Sequence, residues 1–192
     1  MDTVIDKTKT ALVIIDLQKG IAAMPTQPHD AKTVIANAAK LAQAFRKNQM
    51  PVFLVRVSTS PDGKDRLNPI VDGENSWANR KMPTDWSEIV PEMGPEKDDF
   101  IITKKQWGAF YGTDLDLQLR RRKIETIVLC GIATNIGVES TARFAFEYGY
   151  QQIFVEDSMA SRSEEEHEFT IKTAFSRMGQ VRVTGDILAS LS

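Results

Sequence analysis

This sequence of 192 residues has few groups that bind metal or crosslink: one cysteine, Cys130, and two histidines, His29 and His167. A single cysteine excludes an internal disulfide, which agrees with a reducing, cytoplasmic setting. Two scattered imidazoles do not make a zinc site. Neither a metal nor any other cofactor is expected, and both histidines are expected to face solvent or to pack. An excess of one charge is also missing, since 24 basic residues meet 26 acidic ones for a net charge of −2. Such a surface has no bulk attraction for nucleic acid or for an anionic membrane. Long apolar runs are absent too. The N-terminal "MDTVIDKTKTALVIIDLQ" sets acids before a very short apolar run, unlike a secretory signal or a membrane span. There is no internal repeat. After "GIATNIG" the Gly-Lys-Ser/Thr ending of a phosphate loop is missing, so a nucleotide site is not expected.

What is present is a core. With 42% hydrophobic side chains, residues 1–192 fit a single domain. Six short apolar runs alternate with helical patterns. "ALVIID" (Ala11 to Asp16) is continuously apolar, as a strand covered on both faces should be. Asp30 is placed as the N-cap of a helix whose Val34, Ala38, Leu41 and Phe45 make one buried face. "PVFLVRV" and "DFIIT" are the second and third strands. Thr113 with Asp116 imitates a capping box before "DLDLQLRRRK". "TIVLCG" is the fourth strand, "IGVESTARFAFEYG" a helix ending at Gly149, and "QIFVED" the fifth strand. Ser163 caps the acid-rich turn of the next helix, and "VRV" with "GDILASL" completes the pattern. Strands and helices alternating at this spacing predict an α/β fold, a parallel sheet with helices on both faces. The stretch from Ser58 to Asp98 breaks the rhythm. It holds Trp77 and Trp86, so it either packs against the site or a second subunit or is an ordered surface excursion.

Ligands of an open parallel sheet collect beyond the carboxyl ends of the strands. Asp16, Arg56, Lys104 and the loop from Gly131 to Gly137 all fall there. A carboxylate closing an apolar strand needs a cation or hydrogen-bond donors, and Lys104 is the natural partner. On spacing alone the two are either a plain ion pair between strand ends or part of a site. Cys130, inside an apolar strand, reads as a small core side chain. Thr134 and Ser140 are nearby hydroxyls, but the motifs contain no histidine base to activate them.

The blocks "ALVIIDLQKG", "IITKKQWGAFYGTDL" and "CGIATNIGVESTARFAFEYGY" together resemble the isochorismatase-like hydrolases, the superfamily that also holds nicotinamidases and carbamoylsarcosine amidohydrolases. That resemblance implies a three-layer α/β/α sandwich on a six-stranded, mainly parallel sheet, and a dimer or tetramer as the oligomer. It also implies a site built on an Asp–Lys–Cys triad, with the aspartate at Asp16 and the lysine at Lys104. The cysteine position falls on Gly137, directly before "VESTA". A non-proline cis peptide is implied at Ile132–Ala133, with the amides of Ala133 and Gly137 as oxyanion donors. The histidines that hold zinc in nicotinamidases have no counterpart in "VRVSTSPDGKDRLN".

The true isochorismatases resemble this chain in lacking the cysteine, and they cleave a vinyl ether by acid chemistry. By that likeness Asp16 is the general acid, Lys104 orients it or a substrate carboxylate, and Arg56 clamps a second anionic group. Trp107 and Phe110 wall an apolar pocket, with Thr134 beside the small-molecule substrate. The loop "GIATN" is closer to that of the amide-cleaving members, with only the cysteine changed. The alternative is a catalytically degenerate member that serves as a small-molecule binder or structural oligomer.

Overall fold

The computed structural model describes residues 4–72 and 82–192. Strand β1 (Thr10–Ile15) buries every side chain, as the apolar run from Ala11 to Ile15 requires. A short helix α1 (Lys19–Ala22) leads to α2 (Ala31–Lys47), whose N-cap Asp30 accepts a hydrogen bond from Thr33 N at 2.7 Å. β2 (Val52–Val57) and β3 (Phe100–Lys104) follow, then α3 (Leu115–Arg121) and β4 (Thr126–Ile132). A wide π-type turn over Thr134–Val138 opens α4 (Glu139–Glu147). β5 (Gln151–Ala160), α5 (Glu164–Thr170), α6 (Ser176–Met178), β6 (Gln180–Arg182) and α7 (Thr184–Leu191) complete the chain.

The six strands pair in the order β3-β2-β1-β4-β5-β6, and every pairing is parallel. α2 packs against α7, whereas α4 packs against α6. Right-handed crossovers place these two groups on opposite faces of the sheet, giving the three-layer sandwich. The order reverses direction between β1 and β4. In sheets of this kind the crevice at that reversal is where ligands bind.

The structure departs from the sequence reading in three places. β3 includes Lys104, so that lysine ends the strand rather than following it. β5 runs on to Ala160, because a register shift opposite Leu129 and Gly131 lets Met159 and Ala160 resume pairing with β4. The capping box at Thr113 and Asp116 does not form. Asp114 is the N-cap without a side-chain bond, Thr113 Oγ1 accepts from Leu115 N at 3.2 Å, and Asp116 is taken by Arg120 and Tyr150. Among the described residues from Ser58 to Asp98, regular structure is limited to a 3₁₀ turn at Pro91–Met93 and a bridge between Gln18 and Ile89. Trp86 packs against the core, over Gly20. Trp77 lies outside the described residues.

Candidate active site

Asp16 stands where β1 ends, with φ +54°, a left-handed conformation that non-glycine residues adopt at a cost. Two hydrogen bonds hold it there, Asp16 N to Val55 O at 2.9 Å and Gln18 N to Asp16 O at 2.8 Å. The bend presents the carboxylate to Lys104 at the end of β3. Asp16 Oδ2 and Lys104 Nζ lie 2.8 Å apart, and the two residues are 5% and 1% exposed. The ammonium also donates to the backbone carbonyl of Trp107. The other carboxylate oxygen, Asp16 Oδ1, is buried and has no hydrogen-bond partner among the described residues. Burial pushes the Asp16 carboxyl above the usual carboxylate range, against the opposing pull of Lys104.

Gly137 meets this pair directly. A Cβ built on it would lie 2.9 Å from Ile15 Cγ2, 3.0 Å from Asp16 Oδ2 and 3.1 Å from Lys104 Nζ. A side chain at this position would therefore point at the Asp–Lys contact, and the contact already fills most of the space that side chain would need. The peptide bond from Ile132 to Ala133 is cis, and Ala133 leads into the turn that contains Gly137. Gly131, at φ +123°, lets this turn approach β1: a Cβ there would sit 2.1 Å from Ile15 O.

Strand register sorts the remaining candidates. Lys104 pairs with Val57, and Ile15 pairs with Val55 and Gly131, which sets all of these on one face of the sheet. Arg56 pairs with Thr103 and therefore lies on the other face, where its Nε donates to Thr103 Oγ1 at 3.1 Å. Cys130 pairs with Ile14, also on that other face. Its thiol is fully buried, and burial raises its pKa far above that of a free cysteine, with nearby Asp157 adding to the rise. Trp107 reaches Lys104 through its carbonyl, while the residue as a whole is 64% exposed. Phe110 is buried and packs its ring on Tyr150 and edge-to-face with Tyr148, as a core residue does.

Thr134 is fully buried, and its hydroxyl meets a residue that the sequence reading placed elsewhere. Thr134 Oγ1 and His167 Nδ1 lie 2.8 Å apart. A histidine does reach the motif, from α5, and of the two roles expected of it, facing solvent or packing, it takes the second. Burial, helped by His29, brings the His167 imidazole down from 6.5 to about 4, so the ring is neutral near pH 7. No local pattern marks this pair, because the two residues are 33 positions apart. Among the described residues no group of His, Cys, Asp and Glu has the arrangement of a metal site. Among them, too, no helix is long and apolar enough to cross a membrane.

Comparison with known proteins agrees with this architecture. The isochorismatase domain family matches residues 10–186. The isochorismatase family protein YwoC of Bacillus subtilis strain 168 is 54% identical, with 96% of this chain and 95% of the relative covered. YecD of Escherichia coli O157:H7, of the same family, is 48% identical over 95% of this chain and 96% of its own. The solved structure of an isochorismatase family protein from Burkholderia thailandensis superposes with a TM-score of 0.94 at 43% identity. That superposition covers 100% of this chain and 99% of the other. A parallel sheet of this order, with matches along nearly its whole length, means that the chain belongs to the isochorismatase family.

Proposed function

We propose that this chain is a hydrolase of a small anionic molecule, working without a cysteine nucleophile, and that an isochorismate-like vinyl ether is its class of substrate. In this reading Gly137 stands at the cysteine position, and Cys130, on the far face, takes no part. The observation that carries it is the state of Asp16: a buried carboxyl, anchored through Oδ2 to Lys104, with Oδ1 unpartnered among the described residues and protonation favoured by desolvation. That is what a general acid needs.

The chemistry then requires no covalent intermediate. Asp16 gives its proton to the terminal carbon of the enol ether, and the electron pair of the double bond forms the new C–H bond. Positive charge develops on the ether carbon and oxygen. Water adds to that carbon and returns a proton to Asp16. The hemiketal collapses to a keto acid and an alcohol. Lys104 holds the Asp16 carboxylate while it is charged, and its ammonium supplies the positive field for a substrate carboxylate. The pair is closed to solvent, so in this scheme substrate enters by displacing the Trp107 carbonyl, in the loop that follows β3, from Lys104.

The test is turnover of isochorismate by wild type and Asp16→Asn. The variant should lose about 10²–10⁴-fold in kcat/KM. Because the working form is protonated and burial raises the carboxyl pKa, wild-type kcat/KM should fall as pH rises through that pKa. Undiminished turnover in Asp16→Asn would overturn the reading.

The 1% exposure of Lys104 favours a second reading, a degenerate enzyme whose Asp–Lys pair is structural. That reading requires no turnover of enol ethers or amides and retained binding of small carboxylic acids, measured by calorimetry.

A further inference from the structure

The turn that carries Gly137 is fastened from outside by side chains of other elements. At the end of β5, Ser161 Oγ donates to Asn135 Oδ1 at 2.6 Å. From within α4, Thr141 Oγ1 donates to Gly137 O at 2.7 Å and accepts from Ala109 N at 3.1 Å. From α5, His167 holds Thr134, the first residue of the turn. Only this last fastening uses an aromatic, directional group, and both of its members are shielded from water. A buried hydroxyl has few ways to satisfy itself, so its direction is fixed by the partner it finds.

The other side of the imidazole is different. His167 also lines an open cleft of about 420 Å³, with His29, Glu156, Asp157 and Lys172 around it. The His29 ring stands edge-on to it, with centroids 6.1 Å apart. No hydrogen bond to Nε2 is formed among the described residues, so Nδ1 is the nitrogen that the fold has engaged.

We propose that His167 is a positioning residue for this turn: through Thr134 it sets the direction in which Ala133 and Gly137 face the Asp16–Lys104 pair. The proposal rests on the reading of that turn as part of the site. It separates His167 from a space-filling core residue by one property, the position of a single hydrogen-bonding atom. An asparagine at 167 places an amide near the Nδ1 position, and a glutamine places it near Nε2. Only the first can replace the contact to Thr134.

The experiment compares His167→Asn, His167→Gln, His167→Ala, Thr134→Val and the His167→Ala/Thr134→Val double variant. Two measurements are made on each, isochorismate kinetics and the amide NMR signals of Ala133 and Gly137 in the ¹⁵N-labelled chain. His167→Ala and Thr134→Val should each lower kcat about 10–100-fold, as misplacement of a site by a fraction of an ångström does. KM should stay within about two-fold, and the double variant should be no worse than either single. Both amide signals should shift in the two single variants, return in His167→Asn and stay shifted in His167→Gln. Equal behaviour of Asn and Gln, additive losses, or unmoved signals would overturn the proposal. If wild type does not turn over isochorismate, the functional reading has failed, and the amide signals still decide the role of His167. If His167→Ala does not fold, the Asn and Gln comparison decides alone.

Discussion

Asp16 and His167 are both buried titratable residues, yet their environments treat them in opposite ways. Asp16 keeps a cation 2.8 Å away and is still pushed toward protonation by burial. His167 is pushed toward neutrality by burial and by His29, against a smaller opposing pull from Glu168, from 6.5 to about 4. A depressed histidine pKa means that the unfolded chain binds the proton more readily. The stability this group contributes is therefore present above 6.5 and is lost as pH falls toward about 4. Between about pH 7 and pH 4 the wild type should lose roughly 2–3 kcal/mol more unfolding free energy than His167→Asn, which has nothing to titrate there. Urea melts at several pH values read this difference, and parallel curves for the two proteins would contradict it. At this scale legibility was uneven. Asp16 and Lys104 could be read because a charged residue closing an apolar run is conspicuous. The Thr134–His167 contact could not, since nothing near either residue announces the other. Trp107 was legible as an aromatic, but the part of it that touches Lys104 is its backbone, which carries no sequence signal.

Elements were more readable than contacts wherever a cap or a periodicity fixes them. Asp30 and Ser163 both accept the backbone bonds expected of N-caps, and Gly149 has the positive φ of a helix terminator. The π-type turn at Thr134–Val138 was not readable, because the side chains that fasten it come from Thr141, Ser161 and His167, outside the turn itself. That turn determines what a side chain at 137 would experience. It would sit at the head of α4, at a helix N-terminus and beside an ammonium, and both lower a thiol pKa. Gly137→Cys should thus be labelled by an alkylating agent at a lower pH than an ordinary thiol. Because its Cβ would lie 2.9–3.1 Å from Ile15, Asp16 and Lys104, the pair must move to admit it. Overpacking of this kind is expected to cost about 1–3 kcal/mol, less about 1 kcal/mol regained from leaving glycine in a helix. Labelling with ordinary thiol pH dependence would show that the side chain does not face Lys104.

For the whole molecule, the decisive feature is that β1 and β4 are neighbours at the reversal of strand order, which brings Asp16 and the turn after β4 to one rim. The long stretch between β2 and β3 is tied to that rim by Gln18, a buried residue two positions past Asp16. Gln18 Nε2 donates to Val57 O at 3.1 Å and to Trp86 O at 3.2 Å, and its Oε1 accepts from Val57 N at 2.8 Å. One amide thus joins the ends of β1 and β2 to a segment far along the chain. Gln18→Leu has a similar volume but takes the side-chain partner away from the buried N–H and C=O of Val57, while Trp86 O keeps its bond from Gly20 N, and this should cost roughly 1–3 kcal/mol. Gly20 makes the second tie by a different force. A Cβ there would lie 1.9 Å from the Trp86 ring, so Gly20→Ala must expel the indole from its seat. Both variants should loosen residues 82–98 from the strand ends while the sheet stays folded. Limited proteolysis should then cut within that segment much faster than in wild type, with far-ultraviolet circular dichroism unchanged. Cleavage rates equal to wild type in both variants would mean that the segment is held by other contacts, and Gln18 would then matter only to the strand ends.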